Sequence, residues 1–163
     1  MLSSLSSVYT DSYPMLKNEK AISITSLLLR LTIGLCFFLH GAQKVFGWFG
    51  GSGLEKWSEY LATKNFPKPV AYLSAFVEMI AGILLIIGAL TKASSIVMII
   101  FMGFAVWIAH FDKGYFSQKG GYEYQLLLIV ACVCVMILGG GEYSLDKYFF
   151  TKTQWIKAIK NYI

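Results

Sequence analysis

The sequence predicts an all-α polytopic membrane protein, an antiparallel bundle of four transmembrane helices with short interfacial helices. Three observations carry this. Of 163 residues, 56% are hydrophobic and only 14% charged, with a mean hydropathy of +0.61; soluble domains are rarely so apolar or so poor in charge. Four segments are long enough to cross a bilayer, which needs roughly 20 mostly apolar residues. These segments also have little polar face, which a soluble all-helical core would require.

The spans read Ile22–Phe46, Pro69–Thr91, Ala93–Phe111 and Tyr122–Gly140. Ahead of them the chain is Ser-rich and has no basic region before an apolar run, so no cleavable signal peptide is expected. The chain divides into a tail at 1–20, a four-helix membrane domain at 21–142 and a C-terminal interfacial helix at 143–163. With four spans, the N-terminus, the second loop and the C-terminal tail share one side. That side carries Lys17, Lys20, Lys92, Lys147, Lys152, Lys157 and Lys160, against Lys56, Lys64, Lys68, Lys113 and Lys119 on the other. The excess places both termini in the cytoplasm and the protein in the cell inner (plasma) membrane.

The first loop, "SGLEKWSEYLATKNFPKP", opens with Ser52 and has Glu55 three residues on, a capping-box pattern. Leu54, Trp57, Ser58 and Leu61 share one helical stripe, so a short amphipathic helix is expected on the outer surface or capping the bundle. In the C-terminal tail, Leu145, Tyr148, Phe149, Trp155, Ile156, Ile159, Tyr162 and Ile163 cover one arc while Lys147, Lys157 and Lys160 lie off it. Membrane lipids are the expected partner of that face. The net charge of +5 is spread over loops and tails, which argues against nucleic acid. Cys36, Cys132 and Cys134 form no C-x-x-C pair, and the last two point to different helical faces. They read as small apolar packing residues. No Cys/His cluster has metal-site spacing, so no metal is expected.

The chemistry lies in the ionisable groups inside the spans, which cost several kcal/mol each and normally face a partner in the bundle. They are Arg30, His40 and Lys44 in the first span, Glu78 in the second, His110 at the end of the third and Glu123 at the start of the fourth. At about 100° per residue, Arg30, His40 and Lys44 fall within an arc of about 80°, bordered by Gly34 and Gly41, which would admit a neighbouring helix closely. If Phe46 and Pro69 mark one outer boundary, Lys44 lies about 3 Å deep, His40 about 9 Å, Glu78 about 13 Å and Arg30 about 24 Å. Glu78 is then expected to meet the first span through Arg30 or His40. His40, Lys44, Glu78, His110 and Glu123 are expected to line one pocket in the outer half, with Trp107 as a wall. The competing readings are register-fixing ion pairs, snorkelling of Arg30 and Lys44, helix capping by Glu123, and interfacial placement of Trp48, Trp107, Tyr122 and Tyr124.

These residues resemble the DoxX family of small four-helix membrane proteins. The match lies in "LLLR" ending at Arg30, "HGAQK" from His40 to Lys44 and "GWFGG" from Gly47. It continues in "FVEMIAG" around Glu78, in His110, in "GGYEYQLLL" around Glu123 and in "YSLD" from Tyr143. The resemblance covers about Leu27 to Asp146. It implies the bundle fold and an association with quinone redox chemistry and oxidative-stress defence, the family taking its name from subunits of a quinone-linked thiosulfate-oxidising system. Three functions follow as expectations. The first is a quinone-linked oxidoreductase subunit, with His40, Glu78 and Glu123 in the chemistry and Arg30, Lys44, Trp107 and His110 holding the ring. The second is a non-enzymatic accessory subunit of a redox enzyme complex, and the third is a proton or small-solute conduit. A homodimer is compatible with so small a bundle.

Overall fold

The computed structural model describes residues 18–149 and 151. Among these, the chain forms α1 (Glu19–Phe46), α2 (Gly53–Ala62), α3 (Lys68–Ile87), α4 (Thr91–Ala105) and α5 (Glu123–Leu138), with no strand. A single π-helical segment, Val106–His110, continues α4. The helices α1, α3 and α4 with its continuation to Lys113 are long and apolar enough to cross a membrane. The fourth predicted span, α5, is 16 residues long, about 24 Å of helix. The predicted C-terminal interfacial helix is helical over 145–149; beyond that it lies outside the described residues, apart from 151, as does the tail at 1–17.

Helix α1 begins earlier than periodicity suggests because Asn18 caps it, its side-chain oxygen accepting from the backbone N–H of Lys20 and Ala21. It ends at Gly47, whose φ of 70° terminates the helix in the left-handed region. The short outer helix forms as predicted, but without the capping box. Ser52 makes no side-chain cap; the Glu55 carboxylate instead accepts from Lys68 (2.7 Å) and Tyr72 (2.5 Å). The predicted stripe turns inward, with Ser58 and Leu61 buried. The Trp57 indole donates to Ala71 O (3.1 Å) and Ser74 Oγ (3.0 Å). Thus α2 caps the bundle against the start of α3.

The closest helix pair is α1 with α3, and glycines explain it. A Cβ at Gly41 would stand 2.5 Å from Met79 N, and one at Gly34 would stand 2.9 Å from Gly82 O. One at Gly82 would press on the Phe38 backbone. With hydrocarbon outside, van der Waals contact and hydrogen bonds hold the helices together, and small residues maximise both. On the other side α4 packs on α5, and Ile33, Phe37, Leu85, Met98, Cys132 and Val135 fill the centre.

One end of the bundle is tied by polar groups. Arg30 is fully buried. It donates to Leu85 O (3.0 Å), Ile86 O (3.3 Å) and Tyr143 O (2.8 Å). The Asp146 carboxylate accepts from the N–H of Leu90 (2.7 Å) and Thr91 (2.8 Å), closing the start of α4. Ser26 Oγ donates to Gly139 O (2.5 Å). The start of α1, the α3–α4 turn and the segment after α5 therefore meet at one end, as an up-and-down bundle requires. The expectation that Arg30 reaches Glu78 is overturned. The carbonyls at the end of α3 capture the guanidinium first, because the last C=O groups of a helix lack their full intrahelical partners and keep acceptor capacity to spare.

Candidate functional site

At the opposite end the bundle is not filled. A cavity of about 650 Å³ lies between α1, α3, α4 and α5 beneath α2. Its polar lining is Cys36, His40 and Lys44 from α1, Tyr60 from α2, Ser74 and Glu78 from α3, His110 from the π segment, and Tyr124 and Gln125 from α5. Its apolar walls include Phe37, Trp57, Leu61, Phe101, Met102, Ile108 and Leu128.

Four of the five residues expected to share a pocket do so: His40, Lys44, Glu78 and His110. Glu123 does not line it; its carboxylate accepts from the Ser117 backbone N–H (3.0 Å) and hydroxyl (2.9 Å), fixing the loop before α5. Trp107 is 70% exposed on the outside of α4 and forms no wall. Arg30 belongs to the opposite end. The residues that sequence reasoning passed over are Cys36, Trp57, Tyr124 and Gln125. A hint existed for Cys36, which stands one helical turn before His40 and so shares its face.

The partner of Glu78 on α1 is Lys44, its Nζ bonded to Glu78 Oε2. Glu78 is buried, 3% exposed. The ammonium also lies over the Trp57 ring, 4.4 Å from its centroid, and 5.8 Å from that of Phe101, so aromatic faces supply part of its solvation. The pair forms because the helices are in register for it. Gly41 faces Met79 and Gly34 faces Ile86, which puts Glu78 level with Ala42, about half a turn from Lys44.

Each histidine has one nitrogen assigned by its neighbour. His40 Nδ1 lies 2.9 Å from Cys36 O and His110 Nδ1 lies 2.7 Å from Gly120 O. A carbonyl only accepts, so both Nδ1 atoms carry hydrogen, and an imidazole with that hydrogen alone offers Nε2 as acceptor. For His110 that acceptor is met by the Gln125 amide at 3.0 Å. Gln125 Oε1 is then left buried and without a partner. The π segment contributes to this placement. Its wider turn carries Ile108, Ala109 and His110 to the cavity, a common use of π-helical turns. Cys36 Sγ lies 2.6 Å from the Tyr124 hydroxyl and 3.7 Å from His40 Nδ1. His40 is exposed, as is Tyr124. Both line the cavity, so they stand at a mouth between α1 and α5.

Fold and site together define a small polytopic membrane bundle with an intramembrane cavity that joins an ion pair, two imidazoles, a thiol and two phenols to aromatic walls. The chain belongs to the DoxX family, whose profile matches residues 25–111. It is 25% identical over 132 residues to the Bacillus subtilis (strain 168) protein named "Putative oxidoreductase CatD", covering 81% of this chain and 92% of that one. A Haemophilus influenzae (strain ATCC 51907 / DSM 11121 / KW20 / Rd) protein named only as uncharacterized is 32% identical over 126 residues, covering 68% of this chain and 83% of its own length. A second uncharacterized protein of the same strain is 27% identical over 131 residues, covering 76% and 90%. No solved structure gives a significant match.

Proposed function

We propose that this membrane protein binds a quinone or a similar small polar-edged ring in the cavity and takes part in its redox chemistry. The carrying observation is the cavity's composition. A volume of about 650 Å³ with mostly apolar walls and a few convergent polar groups suits a flat ring of modest size. The ring would enter from the lipid through the mouth at His40 and Tyr124. His40 and Lys44 would face its carbonyl oxygens, and Glu78, held by Lys44, would accept or return protons. Arg30, Glu123 and Trp107 have no part in this scheme. The name of the Bacillus subtilis relative points to the same class of chemistry. The protein would sit in the plasma membrane with both termini cytoplasmic, the orientation that its excess of lysines on that side favours.

The accessory-subunit reading has one observation behind it. Phe104 and Trp107, 55% and 70% exposed, form an aromatic patch on α4 that a partner helix could cover. A conduit has less support, because Arg30, which would carry the polar seam inward, is bonded to carbonyls. The test is lipid extraction and chromatography of the purified protein, with titration of a short-chain ubiquinone followed by Trp57 fluorescence. The ring reading expects co-purified quinone or saturable binding, lost in His40→Ala with the thermal midpoint retained. Absence of both, together with a co-purifying redox enzyme, would leave the accessory role in its place.

A further inference from the structure

We propose that Cys36 is a nucleophile, and that the cavity takes electrophilic rings, quinones with a free ring carbon among them, into covalent attachment at its sulfur. This rests on the ring-binding reading and gives it a reaction. Three observations carry it. First, Cys36 lines the cavity, whereas Cys132 is buried in the core and Cys134 is exposed on the outside of α5. Second, the sulfur is not a lone thiol. The Tyr124 hydroxyl lies 2.6 Å away and His40 Nδ1, whose hydrogen is directed at Cys36 O, lies 3.7 Å away, so a hydroxyl and an imidazole stand beside the atom that must shed its proton and carry negative charge as it attacks. Third, Gln125, the residue after Tyr124 on α5, presents a buried carbonyl oxygen with no partner. It is an acceptor placed for a hydroxyl that a bound ring acquires.

The step balances without any added oxidant or reductant. The sulfur forms a bond to a ring carbon conjugated to a carbonyl. The ring π electrons move to that carbonyl oxygen, and the thiol proton ends on it. Loss of the hydrogen from the attacked carbon to the second carbonyl oxygen restores aromaticity. The product is a thioether-linked hydroquinone, so the ring has gained the electron pair that the sulfur supplied. A tyrosine hydroxyl both accepts and donates, and Tyr124, touching the sulfur, is placed to relay the proton. Gln125 Oε1 then accepts from the new hydroxyl.

The three cysteines provide an internal control. The full-length protein in lipid nanodiscs is treated with para-benzoquinone, quenched at intervals, and the adducts located by peptide mass mapping. Cys36 is expected to react about a hundredfold faster than Cys134, the lower end of what a positioned proton-transfer group contributes. Tyr124→Phe should remove most of that advantage while leaving the Cys134 rate unchanged. A Cys36 rate no greater than that of Cys134 in the unaltered protein overturns the proposal, and this comparison needs no variant that might misfold. Duroquinone, whose four ring carbons are methylated and cannot form the aromatic adduct, separates the two readings. If it binds Cys36→Ser normally, the ring pocket stands whatever the sulfur does. If it binds neither form while Cys36 reacts fast, the ring pocket fails and the nucleophile stands.

Discussion

Replacing Glu78 by Gln removes the anion from the Lys44 pair and leaves an ammonium whose side chain is 18% exposed against the Trp57 and Phe101 rings. Removing one partner of a buried pair costs about 3–5 kcal/mol, since the surviving charge is uncompensated. The partial exposure and the Trp57 face place this case near the lower end, about 3 kcal/mol. Lys44→Met strands the Glu78 carboxylate at a similar cost. The double variant strands nothing and forfeits chiefly one hydrogen bond, about 1 kcal/mol. For a chain of this size about 2–4 °C follows each kcal/mol. Each single variant should therefore lose about 6–12 °C and the double only about 2–4 °C. The assay is thermal unfolding in detergent followed by tryptophan emission, in which Trp57 reports on the pair directly. A double variant less stable than either single would show that the two groups act independently, and the pairing argument would fail.

Arg30→Gln and Glu78→Gln should lose stability additively in the same assay, because the two groups bond at opposite ends of the bundle, and Arg30→Lys should recover little, since one ammonium cannot fork to three carbonyls. Gly41→Ala should cost about 3 kcal/mol, the upper end for overpacking, because its Cβ would stand 2.5–2.6 Å from Met79; Gly103→Ala, with open space around it, should be neutral or stabilising by up to about 1 kcal/mol. The Glu55 carboxyl is held below its ordinary value of 4.5 by the hydrogen bond from Lys68 and then that from Tyr72. A depressed folded value means that the contact is present above the ordinary value and is lost as pH falls through the folded one. Trp57 emission should thus stay constant from neutrality to about pH 5 and change only below the carboxylate range, whereas Glu55→Gln should show the loosened signal at pH 7.

The spans were legible because hydropathy and length report directly on what a bilayer accepts. The glycine seam was legible because Gly34 and Gly41 border one face whatever packs there. Side-chain destinations were less so. Glu55 matched a capping box, yet Lys68 and Tyr72 offered a cation and a hydroxyl in place of one backbone N–H. Glu123 was read as a pocket carboxylate or a cap for its own helix, and it captures Ser117 because a loop that doubles back brings two donors to it. Tyr124 and Gln125 carry no charge, so a search for ionisable groups in hydrocarbon passed over them.

The misassigned partner of Glu78 has a geometric cause. The sequence argument set Phe46 and Pro69 level, as if a simple loop joined them. Between them lies α2, a helix of 10 residues that caps the bundle, and it lets α3 begin beyond the end of α1. Gly34 facing Ile86 and Gly41 facing Met79 put Phe46 level with Ser74, not with Pro69. Glu78 is therefore about 6 Å below the end of α1 instead of about 13 Å. That offset moves it out of reach of Arg30, about 18 Å further down α1, and within reach of Lys44. The same offset brings Glu78 into the layer of His40 and His110. One capping helix thus fixes both which cation neutralises the carboxylate and where the polar cavity lies.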